Sequence, residues 1–234
     1  MRKSSKPAAA PRRGRPVDPA KQAAIIRAAQ EVFVAKGFEA TSLEAVAAHA
    51  GVSKLTIYNH FGGKDDLFAA ALNAKCDHFM DPDAIRTAGY GSTRDGLVQI
   101  GRAFLALILD REVLQMHRVV MAESVNHPRV AALFFAKAVE PTAAKVAEFL
   151  ADEAAAGRLH VADPAMAAWE FLSLLKGRPM FVALLNLPLP SRSELNAHIE
   201  RCVQLFLHGC AGTGTVRRSR RLAGGSQSSH APRA

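Results

Sequence analysis

The chain is short of the residues that build sheets and covalent scaffolds. Aromatic side chains occupy only 6% of its 234 positions. Alanine and leucine dominate the apolar set, a balance that favours helix over strand. The three cysteines, Cys76, Cys202 and Cys210, fall in no metal-ligand or disulfide spacing. They read as reduced thiols, and no metal or other cofactor is expected. Long apolar runs are missing too: none approaches the roughly 18 residues a membrane helix needs. The basic N-terminus has no apolar segment behind it, and Arg12-Arg13 runs into Gly14-Arg15-Pro16 rather than a twin-arginine signal. A cytoplasmic chain with no membrane partner is the expectation. Asp65-Asp66, Glu123 and His127 are the acid or histidine groupings open to test. None fits a His-Glu-x-x-His, nucleophile-elbow or phosphate-loop pattern, so no enzyme is expected.

Charge is placed unevenly. The net charge is +9, yet residues 1–16 carry six Lys/Arg and residues 217–234 carry five, with no acid in either, leaving −2 between them. Basic arms on a nearly neutral body add phosphate attraction to a site built elsewhere. Arg12, Arg13 and Arg15 lie in a Pro-Arg-Arg-Gly-Arg-Pro segment like the core of an AT-hook, which the negative potential of a narrow minor groove attracts. A solvated, untargeted arm is the equal alternative. The arm at 1–17 and the tail at 211–234 have the composition of disordered chain.

From 18 to 80 the apolar spacing is helical. Asp18-Pro19 starts a helix, Ile25, Ile26, Ala29, Val32 and Phe33 form its inner face, and Lys36-Gly37 stops it. Thr41-Ser42-Leu43-Glu44 fits a capping box, with Thr41 as the cap and Glu44 reaching back. Gly51 supplies a turn that wants positive φ, and Ser53 caps a helix over 54–60 that points Ile57 and Phe61 inward. Lys54, Leu55, Thr56, Tyr58, Asn59 and His60 are left largely outward. Hydroxyls bond phosphates, Asn can read adenine, and Lys reaches guanine or phosphate, so this face suits a major groove. A solvated face on a small bundle is the plain alternative. A helix from Lys64, with Asp65 and Asp66 in its first turn, completes a four-helix unit.

After a linker at 82–92, the spacing predicts helices over 93–109, 112–126, 129–156 (bent near Pro141), 163–185 and 193–208. His117, Arg118, Glu123, Asn126, Trp169, Glu170 and Met180 stand on otherwise apolar helices. Either Arg118 is satisfied by Glu123 or Glu170 inside the bundle, or His117, Arg118, Glu123, Trp169 and Glu170 line a pocket for a small-molecule effector. Phe171, Leu174 and Leu175, with Leu195, Ile199, Val203 and Phe206, form apolar faces expected to pair two subunits through the helices at 164–185 and 193–208. Burial within one subunit is the alternative.

These pieces together resemble the TetR family of transcriptional regulators. The likeness rests on the helix at 21–37, Thr41-Ser42-Leu43-Glu44-Ala45-Val46-Ala47, Ala50-Gly51-Val52-Ser53, and Thr56-Ile57-Tyr58-Asn59-His60-Phe61 followed by Lys64. Past residue 82, the stretches 117–123, 127–130 and 156–159, with Asp163-Pro164, are similar to the AefR-like C-terminal class of that family. The resemblance implies an all-α protein. A helix-turn-helix DNA-binding domain over 18–80 would precede a helical bundle over 82–210 for dimerisation and ligand binding. It further implies a homodimer that represses from a palindromic operator and is released by a ligand. By the family's pattern, Thr41, Ser42, Tyr58, His60 and Lys64 meet the DNA backbone, while Lys54, Leu55, Thr56 and Asn59 meet base edges; Ser53 completes the candidate set. Two positions depart from the pattern: Leu55 is bulky where a small residue or proline is usual, and Gly63 replaces a side-chain cap. An architectural protein that uses its arms without sequence preference is the competing DNA-binding reading, and a helical enzyme a more distant one.

Overall fold

The structure, a computed structural model, describes residues 18–80 and 91–211. Arg12, Arg13 and Arg15 with the rest of the N-terminal arm, most of the expected 82–92 linker, and the tail from residue 212 lie outside the described residues. Every regular element among the described residues is helical.

The N-terminal unit comprises α1 Pro19–Lys36, α2 Leu43–Ala50, α3 Lys54–Phe61 and α4 Lys64–Phe79. Asp18 Oδ1 accepts from Ala20 N at 3.1 Å and Lys21 N at 3.4 Å, and Pro19 loses no bond at the first helical position. α1 ends at Gly37, where φ is 81°, a region glycine enters without a Cβ penalty. Phe38 then turns inward. Its ring stacks on Phe33 at 5.8 Å and meets Phe68 edge-on at 4.9 Å.

The start of α2 differs from expectation. Ser42, not Thr41, is the cap: its Oγ accepts from Ala45 N at 3.1 Å. Thr41 is only 3% exposed, and its hydroxyl donates to Gly37 O at 2.6 Å. The turn at Gly37 leaves a carbonyl at the end of α1 that a buried donor must satisfy. Glu44 does not take the Thr41 N–H, which donates to Phe38 O at 3.3 Å; it pairs with Lys54 at 2.5 Å.

The body holds α5 Thr93–Ile108, α6 Arg111–Ser124, α7 Pro128–Phe134, a π turn Phe135–Val139, α8 Glu140–Ala155, α9 Pro164–Leu184 and α10 Arg192–Ala211. Its core centres on Leu97, Ile100, Leu150, Phe171, Leu175 and Val203. Gly101 lets α5 approach α10, since a Cβ there would lie 2.8 Å from Ile199 Cγ2. The single bent helix expected over 129–156 is instead α7, the π turn and α8. Pro141 lacks an N–H, and its ring crowds the carbonyl four residues back, that of Lys137. The wider π turn absorbs this mismatch.

α9 is kinked at Gly177, whose φ of 17° and ψ of −132° are not helical. Pro179 follows and cannot donate to the Leu175 carbonyl. His198 Nε2 meets that carbonyl at 2.9 Å, and Cys202 Sγ donates to Leu174 O at 3.4 Å. α10 thus supplies bonds that the kink removes. Phe171, Leu175, Ile199, Val203 and Phe206, expected at a subunit interface, are buried within the one chain. They are spent on closing α9 and α10 over α5. The exposed apolar side chains here are Met166, Leu174, Phe181, Leu185 and Leu205.

The linker divides the chain in sequence but not in packing. Met116 and Val120 of α6, Val130 of α7 and Ala138 of the π turn share one apolar cluster with α1, α2 and α4. Ion pairs cross the same boundary: Asp65 with Arg129, Asp77 with Lys145 at 2.9 Å, and Lys75 with Glu112 at 2.8 Å.

Candidate functional site

Gly51 and Ser53 aim α3. Gly51 takes the left-handed conformation, φ 66° and ψ 32°. Ser53 Oγ accepts from Thr56 N at 3.1 Å and shares a hydrogen bond with Thr56 Oγ1 at 2.8 Å. Ile57 is fully buried and pins the inner face. On the outer face Lys54, Leu55, Tyr58 and Asn59 are exposed, with Thr56 and His60 partly so. Leu55 is 68% exposed, an apolar group that nothing among the described residues covers. Lys54 Nζ lies 2.5 Å from Glu44 Oε1 and 5.6 Å from the centre of the Tyr58 ring. Its hydrogen bond to Glu44 raises the ammonium pKa and lowers that of the carboxyl. An exposed pair of this kind is weak in water, and a phosphate can replace the carboxylate.

His60 has its Nδ1 buried without a partner among the described residues, so Nε2 is the atom left to reach outward. Lys64 Nζ donates to Glu39 O at 3.0 Å and lies 4.5 Å from the Phe38 ring centre. An ammonium has three donors, so capacity remains for an anion. Ser42 is exposed at the start of α2. Ser42, Ser53, Lys54, Leu55, Thr56, Tyr58, Asn59, His60 and Lys64 therefore occupy the N-terminus of α2, the length of α3 and the start of α4. Buried Thr41 does not join them.

A cavity of about 1070 Å³ lies between the N-terminal unit and the body. Ile26, Val34 and Leu72 wall it from α1 and α4, Phe104, Val113 and Met116 from α5 and α6, and Trp169, Leu172 and Met180 from α9. Its volume is that of a site for a drug-sized ligand. Several polar groups on the wall are already satisfied by backbone. Gln30 Nε2 donates to Ala71 O at 2.8 Å, Thr142 Oγ1 to Ala138 O at 2.7 Å, and His117 Nδ1 to Val113 O at 2.8 Å. Lys75 bridges Glu112 at 2.8 Å and Asp110 at 3.6 Å, and the Glu112 hydrogen bond leads in raising its pKa. Burial pushes His117 down. Burial also pushes Lys176 down; its Nζ lies 5.9 Å from the centre of the Trp169 ring.

Of the five residues expected at a ligand pocket, His117 and Trp169 line this cavity. Arg118, Glu123 and Glu170 do not, and the expected pairing among them is not made. Arg118 Nε donates to Leu184 O at 3.2 Å and Nη2 to Ala183 O at 2.6 Å, adding donors at the end of α9, where Ala183 O also accepts from Asn186 N at 3.1 Å. Glu123 packs on the end of α1, its Oε1 occupying the space a Gly37 Cβ would take. Glu170 faces solvent. Lys176 escaped the sequence reading, although a lone lysine two turns after Trp169 in an apolar run was a usable signal. The walls from α1 and α4 carried none, because residues at 23–34 and 71–78 meet the body only through the tertiary fold.

Comparison with known proteins agrees with this arrangement at both ends. Residues 25–71 match the sequence profile of the bacterial regulatory proteins of the tetR family, and residues 95–209 that of the AefR-like transcriptional repressor C-terminal domain. The flavonoid-responsive regulator FrrA superposes with a TM-score of 0.65 and 33% identity, covering 82% of this chain and 98% of FrrA. A TetR-family transcriptional regulator from Mesorhizobium loti gives a TM-score of 0.68 at 29% identity, over 82% of this chain and 96% of that one. The HTH-type transcriptional activator FasR of Mycolicibacterium smegmatis is 34% identical over 111 residues, 46% of this chain and 49% of that protein. The chain spans about half the length of the curated relatives it matches. With the helix-turn-helix profile in place and a fold shared with FrrA over nearly all of that protein, the chain belongs to the TetR family of bacterial transcriptional regulators.

Proposed function

We propose that this protein is a ligand-responsive homodimer that represses transcription from a palindromic operator. The observation that carries the proposal is the position of the cavity. Its walls include α1 and α4, which pack on the helices of the DNA-reading unit. A ligand that reshapes the cavity therefore bears directly on the elements that orient α3, which is the differential contact a ligand-driven shift requires.

In this reading α3 lies in the major groove. Ser42, Tyr58, His60 and Lys64 hold phosphates, the free N–H groups at the start of α2 helping Ser42. Lys54, Thr56 and Asn59 face base edges, and Leu55 offers an apolar contact suited to a thymine methyl. Ser53 keeps its role as the cap that aims them. The four-helix unit carries six Lys/Arg against seven Asp/Glu from 18 to 80, so attraction comes from a few placed donors, with Arg12, Arg13 and Arg15 adding to it from the arm. Two subunits pair through α9 and α10, whose exposed Met166, Leu174, Phe181 and Leu205 supply apolar surface that solvent disfavours. The protein acts in the cytoplasm; no helix among the described residues is long and apolar enough to cross a membrane.

Selecting bound fragments from random DNA tests the whole reading. A palindrome is expected, with half-sites spaced for two copies of α3. Enrichment of a single half-site, or of no sequence, overturns it. Light scattering should give twice the 25.1 kDa chain mass.

A further inference from the structure

Resting on the ligand-responsive reading, we propose that the cavity takes an amphipathic anion, with its apolar body along the wall of Val113, Met116 and Trp169 and its anionic group on the Lys176 ammonium. Lys176 is a partly buried cation, and among the described residues no carboxylate pairs with it. The carboxylates that reach the cavity are engaged elsewhere: Glu112 and Asp110 hold Lys75, and Glu31 holds His49 at 2.5 Å. The Trp169 ring, 5.9 Å away, sits at the outer limit of a useful cation–π contact.

A lysine in this position costs free energy in the empty protein, because burial disfavours its charge and no partner compensates. An apolar residue would fill the same wall more cheaply. A ligand that brings the countercharge turns that cost into recognition, because a charge-assisted hydrogen bond inside a low-dielectric wall is stronger than one in water. The neutral alternative is less well served. Gln30, Thr142 and His117 Nδ1, the natural partners of a neutral polar ligand, already donate to backbone carbonyls. Arg27 and Arg111, both exposed where they border the cavity, favour the approach of an anion over that of a cation. Apart from Gln115 and the exposed His78, the rest of the wall is apolar, which calls for a ligand with a substantial hydrocarbon or aromatic body and a single charged end.

Trp169 is the chain's sole tryptophan and stands on the cavity wall, so its fluorescence reports occupancy directly. The full-length protein is titrated with decanoate and with decanol, alone and as Lys176→Met. Decanoate should bind the wild type more tightly than decanol. Lys176→Met should weaken decanoate roughly 10-fold to 100-fold, the scale of one hydrogen bond to a charged group, and leave decanol unchanged. The same substitution should raise the melting temperature of the ligand-free protein, which keeps the test independent of any folding defect. If decanol binds as tightly as decanoate, or Lys176→Met leaves decanoate affinity intact, the anionic assignment falls while a ligand cavity stands. If neither probe perturbs Trp169 and neither alters operator binding, the assignment falls together with the ligand-responsive reading.

Discussion

The two halves of the molecule are specified over different distances along the chain. Between 18 and 80, deciding contacts are largely local: Asp18 caps α1, Ser42 caps α2, Gly51 turns the chain and Ser53 caps α3, each acting within a few residues. In the body the deciding contacts are remote. Arg118 holds the carbonyls of Ala183 and Leu184, His198 repairs the kink at Leu175, and Gly101 makes room for Ile199. A surface that must present the same few side chains to DNA gains from rigid local geometry. A cavity walled by many elements couples them to one another, because filling it is felt by all of them.

Perturbations of either half should separate these two modes, and the largest effect is expected in the body. Gly101→Leu drives a side chain into Ile199 and Leu175, costing about 3 kcal/mol or more by overpacking. Because the apolar cluster is shared across the linker, circular dichroism and operator binding should be lost in one thermal transition. Two separate transitions would show the halves to be independent. On α3, Asn59→Ala should cost about 1–3 kcal/mol and change the preferred base at its position. Tyr58→Phe should weaken all sequences by similar, smaller amounts. Binding-site selections that respond alike to both substitutions would overturn the assignment of Asn59 to bases and Tyr58 to phosphates.

A pH-dependent contribution of intermediate size is expected at Glu153. This buried carboxylate accepts from Arg158 Nε at 2.9 Å and Nη2 at 2.6 Å, and also from Thr93. Arg158 leads in holding its carboxyl below the usual value. The unfolded chain therefore takes up its proton first as pH falls, so the stabilisation is complete above the ordinary glutamate pKa of about 4.3. It is lost as pH drops through the lower folded-state value. Glu153→Gln should reduce stability by about 1–2 kcal/mol at neutral pH, with the gap from wild type closing in acid. A gap that does not vary with pH would mean the charge contributes nothing. The smallest effect is at the cap: Ser42→Ala should cost about 1 kcal/mol in denaturant unfolding. No change there would show that the Ala45 N–H is satisfied by water instead.

The division between local and remote also explains what could be read in advance. Caps and turns at Asp18, Gly51 and Ser53 were legible because their physics is contained in short stretches. Even so, the cap expected at Thr41 is Ser42. Both can cap, and only the Gly37 carbonyl above Thr41 decided between them. In the body, helix positions were legible and their interruptions were not. Pro141 pointed to a bend, but not to the form it takes: a π turn whose Ala138 is buried in the apolar cluster of α1, α2 and α4. The Gly177-Arg178-Pro179 kink is stable because His198 and Cys202 from α10 meet the carbonyls of Leu175 and Leu174. The residues around the cavity were half legible for the same reason. His117 and Trp169 face the cavity, whereas neighbouring Arg118 and Glu170 point elsewhere, and one residue's rotation on a helix cannot be fixed without its neighbours.

The shared apolar cluster has a consequence for building hybrid regulators. Exchanging DNA specificity between relatives by cutting at the linker would transplant 18–80 alone. Met116, Val120, Val130 and Ala138 would then face walls they were not shaped for, and the ion pairs of Asp65, Lys75 and Asp77 would lose their partners. A graft that keeps its packing has to carry the matching surfaces of α6, α7 and the π turn with it. The modular unit of this protein is a packing unit, and its border does not coincide with the gap between the two halves of the sequence.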